Sequence, residues 1–111
     1  MKKKVAIIGV TGSVGQEFVQ SLNDHPWFEV TQIAASERSA GKKYIDAIRD
    51  ANGIVAWDVG GKIPDYIKEM TVLTIDEVDI SELDLVFSAV ESVAARDIET
   101  KFAKDLPVIS T

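Results

Sequence analysis

Short apolar runs alternate with amphipathic stretches along this chain. Residues 4–8 form an apolar run that ends at a glycine, which is typical of a strand buried on both faces of a parallel sheet. Val14, Phe18 and Leu22 then recur at helical spacing, and this stripe predicts a helix that ends near residues 23–26. The first unit is therefore predicted to be a strand, a glycine-rich turn and a helix.

The alternation continues to the end of the sequence. Further strands are predicted over residues 30–35, 71–75, 84–89 and 107–110, and helices over residues 44–50, over 63–70 with Pro64 in the first turn, and after Ser92 as N-cap. Residues 36–43 predict a polar loop and residues 76–82 an acidic connector, while residues 54–61 fit either a short strand or a loop. About five strands alternating with helices predict an α/β fold with a Rossmann-type parallel sheet.

Composition narrows the class of protein. The 111 residues are 46% hydrophobic and 27% charged, which predicts one soluble globular domain over residues 1–111. A net charge of -6 argues against a nucleic-acid partner or an anionic membrane surface, and no apolar stretch approaches the roughly 20 residues of a membrane span. We therefore expect a cytoplasmic protein. With no cysteine and one histidine, neither a disulfide, a cysteine nucleophile nor a metal site is predicted.

The glycine-rich turn carries the clearest chemistry. Gly9 allows a tight turn off the strand, Gly12 allows a phosphate to approach the backbone, and Gly15 allows the helix to pack closely on the sheet. The N–H groups at the start of the helix would face a pyrophosphate, and Thr11 and Ser13 add hydroxyl groups. A purely structural turn is the alternative, but its position between a strand and a helix favours dinucleotide binding. No Gly-Lys-Ser/Thr follows, which excludes a P-loop.

The end of the second predicted strand indicates which dinucleotide is bound. In such folds the residues about 20 positions beyond the glycines meet the adenine ribose. Ser36, Arg38 and Ser39 lie there, and a guanidinium flanked by hydroxyls suits a 2′-phosphate. These residues predict NADP as the cofactor. Glu37 leaves an alternative open, because its carboxylate could accept the ribose hydroxyls of NAD.

Taken together, residues 9–15, 25–26, 34–42 and 86–89 resemble the N-terminal part of aspartate-semialdehyde dehydrogenases of the archaeal and fungal branch. The resemblance implies an NADP-dependent enzyme that reductively dephosphorylates aspartyl phosphate in the biosynthesis of lysine, methionine and threonine. It also implies which residues meet the cofactor. Thr11, Gly12, Ser13 and Val14 correspond to positions along the pyrophosphate; Ser36, Arg38 and Ser39 to positions at the 2′-phosphate; and Ser88 and Ala89 to the end of the fourth strand beside the cofactor.

The catalytic groups of that family lie outside the resemblance. Its thioester-forming cysteine, its acid/base histidine and its substrate-binding arginines fall in later segments, so no catalytic residue is assigned here. The expectation is a cofactor-binding portion that is inactive alone, with the small substrate bound and a homo-oligomer formed through a further catalytic and dimerisation domain. Two departures stand out: Val90 and Glu91 replace a more usual Leu-Pro, and Thr111 replaces an asparagine.

Other functions remain open at this point. Two sister enzymes that reduce activated acyl groups, N-acetyl-glutamyl-phosphate reductase and malonyl-CoA reductase, share the glycine turn. A non-enzymatic redox sensor that only binds the dinucleotide is a further possibility. A short-chain-type reductase is disfavoured, because neither Tyr44 nor Tyr66 has a lysine four residues on.

Overall fold

Five parallel strands form the centre of the molecule. The computed structural model describes residues 2–90 and 95–110. The strands are β1 (Lys3–Ile8), β2 (Phe28–Ala34), β3 (Val72–Leu73), β4 (Leu85–Ser88) and β5 (Val108–Ser110). They pair in the order β3-β2-β1-β4-β5, and every pairing is parallel. The predicted Rossmann-type sheet of about five strands is confirmed.

Within the described residues, four α-helices connect or flank these strands. They are α1 (Ser13–Ser21), α2 (Tyr44–Ala47), α3 (Asp65–Lys68) and α4 (Ala95–Ala103). The predicted N-cap Ser92 of the last helix lies outside the described residues. In α4, Phe102 is buried and Ile98 half-buried, so the face that carries these two residues packs on the sheet. None of the described helices is long and apolar enough to cross a membrane.

The core lies in two layers, one on each side of the sheet. Because side chains alternate along a strand, Val5 and Ile7 of β1 enter one layer and Ala6 and Ile8 enter the other. The first layer also holds apolar residues of α1, α2 and α3, and the second holds Phe102 of α4. This burial on both faces explains why β1 reads as a continuous apolar run.

Several elements are shorter than the sequence pattern predicts. The helix expected over residues 44–50 ends at Ala47, and the strand expected over residues 71–75 is only Val72–Leu73. Pro64 is the N-cap of α3 rather than a residue of its first turn. The strand β3 lies at the edge of the sheet and pairs with β2 only at Ile33 and Ala34. This short pairing limits the length of β3.

Neither the acidic connector nor the segment over residues 54–61 adds a strand to the sheet. The acidic connector contains two 3₁₀ turns, Ile75–Glu77 and Ile80–Glu82. Thr74 and Glu77 form a reciprocal capping box at the first of them. Residues 54–61 form a loop whose one strand-like contact is an antiparallel bridge between Arg49 and Val55.

Candidate dinucleotide-binding site

The glycine turn begins with a backbone conformation that only glycine adopts easily. Gly9 follows β1 with φ at +77°. A Cβ at this position would lie 3.0 Å from the carbonyl carbon of Ala89, which follows β4. The N–H groups of Gly9 and Val10 both donate to the Ala34 carbonyl, over 2.9 and 3.1 Å. The turn is thereby fixed at the point where β1, β2 and β4 end.

Gly15 lies on the inner side of this turn. A Cβ there would overlap the carbonyl oxygen of Gly9 and lie 2.8 Å from two backbone carbons of Val10. These are backbone atoms, so they cannot rotate away as a side chain would. The close approach of helix and strand that the sequence predicts for Gly15 is present, and it gives this glycine a packing role.

Gly12 lies on the outer side and shows the opposite situation. It is the N-cap of α1, in an extended conformation with φ at -77°, and makes no side-chain capping bond. A Cβ there would come no closer than 3.9 Å to its nearest neighbour, the Gly9 carbonyl oxygen. The first bond of the helix runs from the Gln16 N–H to the Gly12 carbonyl, so the N–H groups of Ser13 and Val14 have no intrahelical acceptor. The helix therefore presents an open N-terminus at which an anion can approach the backbone.

Two clefts meet at this open side, each of about 370 Å³. Both are lined by Thr11, Gly12, Ser13 and Ser36. The remaining walls of the first, which we call the apolar cleft, are mainly aliphatic: Val14, Ala35, Ile75, Ala89, Val90 and Ile98. A largely apolar wall beside the glycine turn suits a nucleobase.

The second, which we call the polar cleft, is lined by charged and hydroxyl side chains, among them Arg38, Ser39, Arg49, Asp50 and Asp58. Ser36, Arg38 and Ser39 converge there because residues 36–40 form a tight turn after β2. The N–H groups of Ser39 and Ala40 both donate to the Ser36 carbonyl, over 2.9 and 3.2 Å. The three residues predicted to meet a 2′-phosphate are thus brought together beside the glycine turn.

Glu37 and Ser88 are placed differently from these residues. Glu37 is exposed in the same turn, between Ser36 and Arg38. Ser88 is buried at the end of β4, and its hydroxyl donates to a carboxylate oxygen of Glu99 in α4 over 2.8 Å. Its neighbour Ala89 lines the apolar cleft. Of the predicted pair beside the cofactor, Ala89 therefore faces the cleft and the Ser88 hydroxyl faces a helix.

Sequence reasoning missed Gln16, which joins the two walls of the polar cleft. Its side chain is 2% exposed. The amide nitrogen donates to the carbonyls of Thr11 and Ala56, over 3.1 and 2.9 Å, and the amide oxygen accepts from the Asp58 N–H over 2.7 Å. A signal for it exists, since Gln16 precedes the buried Val19 by three positions and so lies on the apolar side of α1.

Tyr44 supports the same turn from the protein interior. It is fully buried, and its hydroxyl donates to the carbonyl of Val10 over 3.0 Å. Burial raises the pKa of the Tyr44 hydroxyl well above its ordinary value, because the phenolate would lose its hydration. The hydroxyl therefore stays protonated and keeps donating to the turn.

Comparison with known proteins agrees with this geometry. Residues 4–111 match the family model described as "Semialdehyde dehydrogenase, NAD binding domain". The aspartate-semialdehyde dehydrogenase of Archaeoglobus fulgidus is 42% identical over 104 residues, and that of Aspergillus fumigatus is 41% identical over 110 residues. These matches cover 94% and 98% of this chain but 28% of each relative. The chain thus spans less than a third of the length of these relatives.

Solved structures show the same similarity. The aspartate semialdehyde dehydrogenase of Candida albicans with NADP superposes with a TM-score of 0.86 at 38% identity, covering 100% of this chain and 30% of that one. Aspartate semialdehyde dehydrogenase II of Vibrio cholerae, complexed with ASA, superposes with a TM-score of 0.69 at 25% identity and covers 100% and 28%. The fold is therefore shared with the solved fungal and bacterial proteins.

Proposed function

Because the chain belongs to the semialdehyde dehydrogenase family, whose NAD-binding domain it matches over residues 4–111, we propose that it binds NADP across the glycine turn. The single observation that carries this proposal is the polar cleft, where Ser36, Arg38 and Ser39 lie beside the open N-terminus of α1. A planar guanidinium with flanking hydroxyls can hold a phosphate through several charge-assisted hydrogen bonds. The Candida albicans relative with NADP supports the same choice of cofactor.

Each part of the dinucleotide has a matching surface. The N–H groups of Ser13 and Val14 at the helix N-terminus would hold the pyrophosphate, and Gly12 leaves room for it. The adenine would lie in the apolar cleft against Ala89 and Ile98. When the cofactor is bound, its nicotinamide ring would supply or accept a hydride.

We propose further that these residues are the cofactor portion of an aspartate-semialdehyde dehydrogenase, which would reductively dephosphorylate aspartyl phosphate in the biosynthesis of lysine, methionine and threonine. The names of the relatives support this assignment over the sister acyl reductases. The sequence contains no cysteine to form a thioester, so residues 1–111 alone would bind the cofactor without turnover. The complete enzyme would act in the cytoplasm as a homo-oligomer.

Calorimetric titration with NADP and NAD tests the cofactor assignment. The wild type should bind NADP more tightly than NAD. Arg38→Ala should weaken NADP binding by about tenfold to a hundredfold, because charge-assisted hydrogen bonds are lost, and change NAD binding by less than about twofold. Lys68→Ala is the matched control, since Lys68 is a surface cation paired with Asp65 at 3.1 Å, away from both clefts. Unchanged NADP binding in Arg38→Ala would contradict the role of Arg38, and preference for NAD would point to Glu37 instead.

A further inference from the structure

Arg49 belongs to the polar cleft although it lies far from the predicted phosphate residues in the sequence. It lies two residues beyond α2 and pairs with Val55 through an antiparallel bridge. The residues that follow it, 50–61, form a loop that we call the 50–61 loop. Its side chain lines the same cleft as Arg38 and Ser39. The fold therefore brings a second arginine to the cleft that the 36–40 turn lines.

The guanidinium of Arg49 is held in place before any ligand binds. Its Nε donates to Oδ1 of Asp46 over 3.3 Å, and its Nη1 donates to the carbonyl oxygen of Gly53 over 2.8 Å. These two bonds use two of the five N–H donors of an arginine. The remaining donors can bind an anion without the side chain first losing its freedom, which lowers the cost of binding.

Two acidic residues, Asp50 and Asp58, also line this cleft, and the carboxylate of Asp50 is already hydrogen-bonded within the protein. Oδ1 of Asp50 accepts from the N–H groups of Asn52 and Ile54, over 2.8 and 3.0 Å, so this carboxylate is bonded to its own loop. Asp58 also lines the cleft, and its N–H is bonded to Gln16. Gln16 thus fixes the loop that carries Arg49 against the glycine turn. The position of Arg49 depends on contacts that are already made within the protein.

We propose that Arg49 is a second cation for the 2′-phosphate and, with Arg38, determines the preference for a 2′-phosphorylated adenine dinucleotide. This inference rests on the proposed binding of NADP and deepens it. A phosphate dianion in this cleft would receive donors from both guanidinium groups, one in the 36–40 turn and one immediately before the 50–61 loop. Arg49 would act on the 2′-phosphate alone, because the pyrophosphate and the adenine have their own surfaces at α1 and in the apolar cleft.

The test compares Arg49→Ala with Arg38→Ala and Lys68→Ala, using titrations with NADP, NAD and 2′-AMP. Lys68→Ala is a matched control, because Lys68 and Arg49 each pair with an aspartate three residues earlier. Arg49→Ala should weaken binding of NADP and 2′-AMP by about tenfold and change NAD binding by less than about twofold. Thermal unfolding of each variant checks that the fold is kept.

Four results are possible, and each decides one question. Selective loss of NADP and 2′-AMP binding supports the role of Arg49. Equal loss of NADP and NAD binding would contradict it, because Arg49 would then act only by bracing the loop. Wild-type binding of NADP in Arg49→Ala, with loss in Arg38→Ala, would overturn the role of Arg49 and leave the NADP site intact. If the wild type binds neither dinucleotide, the proposed function itself fails.

Discussion

The glycine turn has an inner and an outer face, and the two faces make opposite demands on the sequence. On the inner face, Gly15 lies against the backbone of Gly9 and Val10 with no room for a Cβ. On the outer face, Gly12 has open space where a Cβ would be, and the backbone there is extended. The two glycines of this motif therefore lie in different surroundings. Packing within the fold explains Gly15, whereas the open space at Gly12 is consistent with the approach of a ligand.

The side chains near the two faces also differ in whether they are bonded within the protein. Tyr44 contacts the turn from within, and its hydroxyl donates to the carbonyl of Val10. Arg38, on the outer side, forms no ion pair within the part of the chain that the structure describes. A cation left unpaired beside an open helix N-terminus is consistent with an anionic ligand. Packing accounts for the inner face, and the proposed binding of NADP would account for the outer one.

The largest effect should come from Gly15→Ala. The new Cβ would overlap the Gly9 carbonyl oxygen, and only a shift of the backbone could relieve it. We expect the free energy of unfolding to fall by about 3 kcal/mol or more, measured by urea denaturation. A loss below about 1 kcal/mol would show that the inner face is looser than the structure indicates.

Gly12→Ala should separate binding from folding. Its Cβ enters the open side of the turn, so unfolding should change by about 1 kcal/mol or less, the size of an N-cap effect. Binding of NADP and NAD should both weaken by about tenfold, because the methyl group occupies the space that the pyrophosphate needs. The measurement is calorimetric titration of both dinucleotides beside urea denaturation. Unchanged affinity with an intact fold would mean that the phosphates do not pass over Gly12.

A smaller effect should appear at alkaline pH on the inner face. Burial raises the pKa of Tyr44 in the folded state, so above pH 10 the unfolded chain loses this proton and the folded chain keeps it. Stability from this group is therefore complete below pH 10 and falls as the pH rises. The difference in unfolding free energy between the wild type and Tyr44→Phe should narrow by about 1 kcal/mol between pH 8 and pH 10.5. A constant difference would show that the hydroxyl is hydrated in the folded protein.

The sequence was most informative where the structure depends on neighbouring residues. An apolar run, three glycines and a helical stripe are all local, and they predicted β1, the turn and α1 with bounds close to those observed. The convergence of Ser36 and Arg38 on the turn could also be predicted, because parallel strands end at the same edge of a sheet. The roles of the site residues in binding stay predictions until ligand is added.

The 50–61 loop could not be predicted, because its position depends on contacts far apart in the sequence. Gln16 reaches Ala56 and Asp58 across about 40 residues, and no local pattern in the loop shows this. The cleft residue Arg49 was missed for the same reason. It lies two residues beyond the end of α2, and only the fold brings it to the same cleft as Arg38. The periodicity of apolar residues indicates which residues are buried, but it does not indicate which distant loops line the same cleft.

Amide chemical shifts during titration with NADP and NAD test the central claim most directly. With NADP, the account predicts the largest shifts at Gly12, Ser13, Ser36 and Arg38, around the junction of the two clefts. With NAD, shifts at Gly12 and Ser13 should persist and those at Ser36 and Arg38 should shrink, because the 2′-phosphate is absent. Largest shifts at the opposite end of the sheet, in the cleft that Lys2, Phe28 and Met70 line, would contradict it.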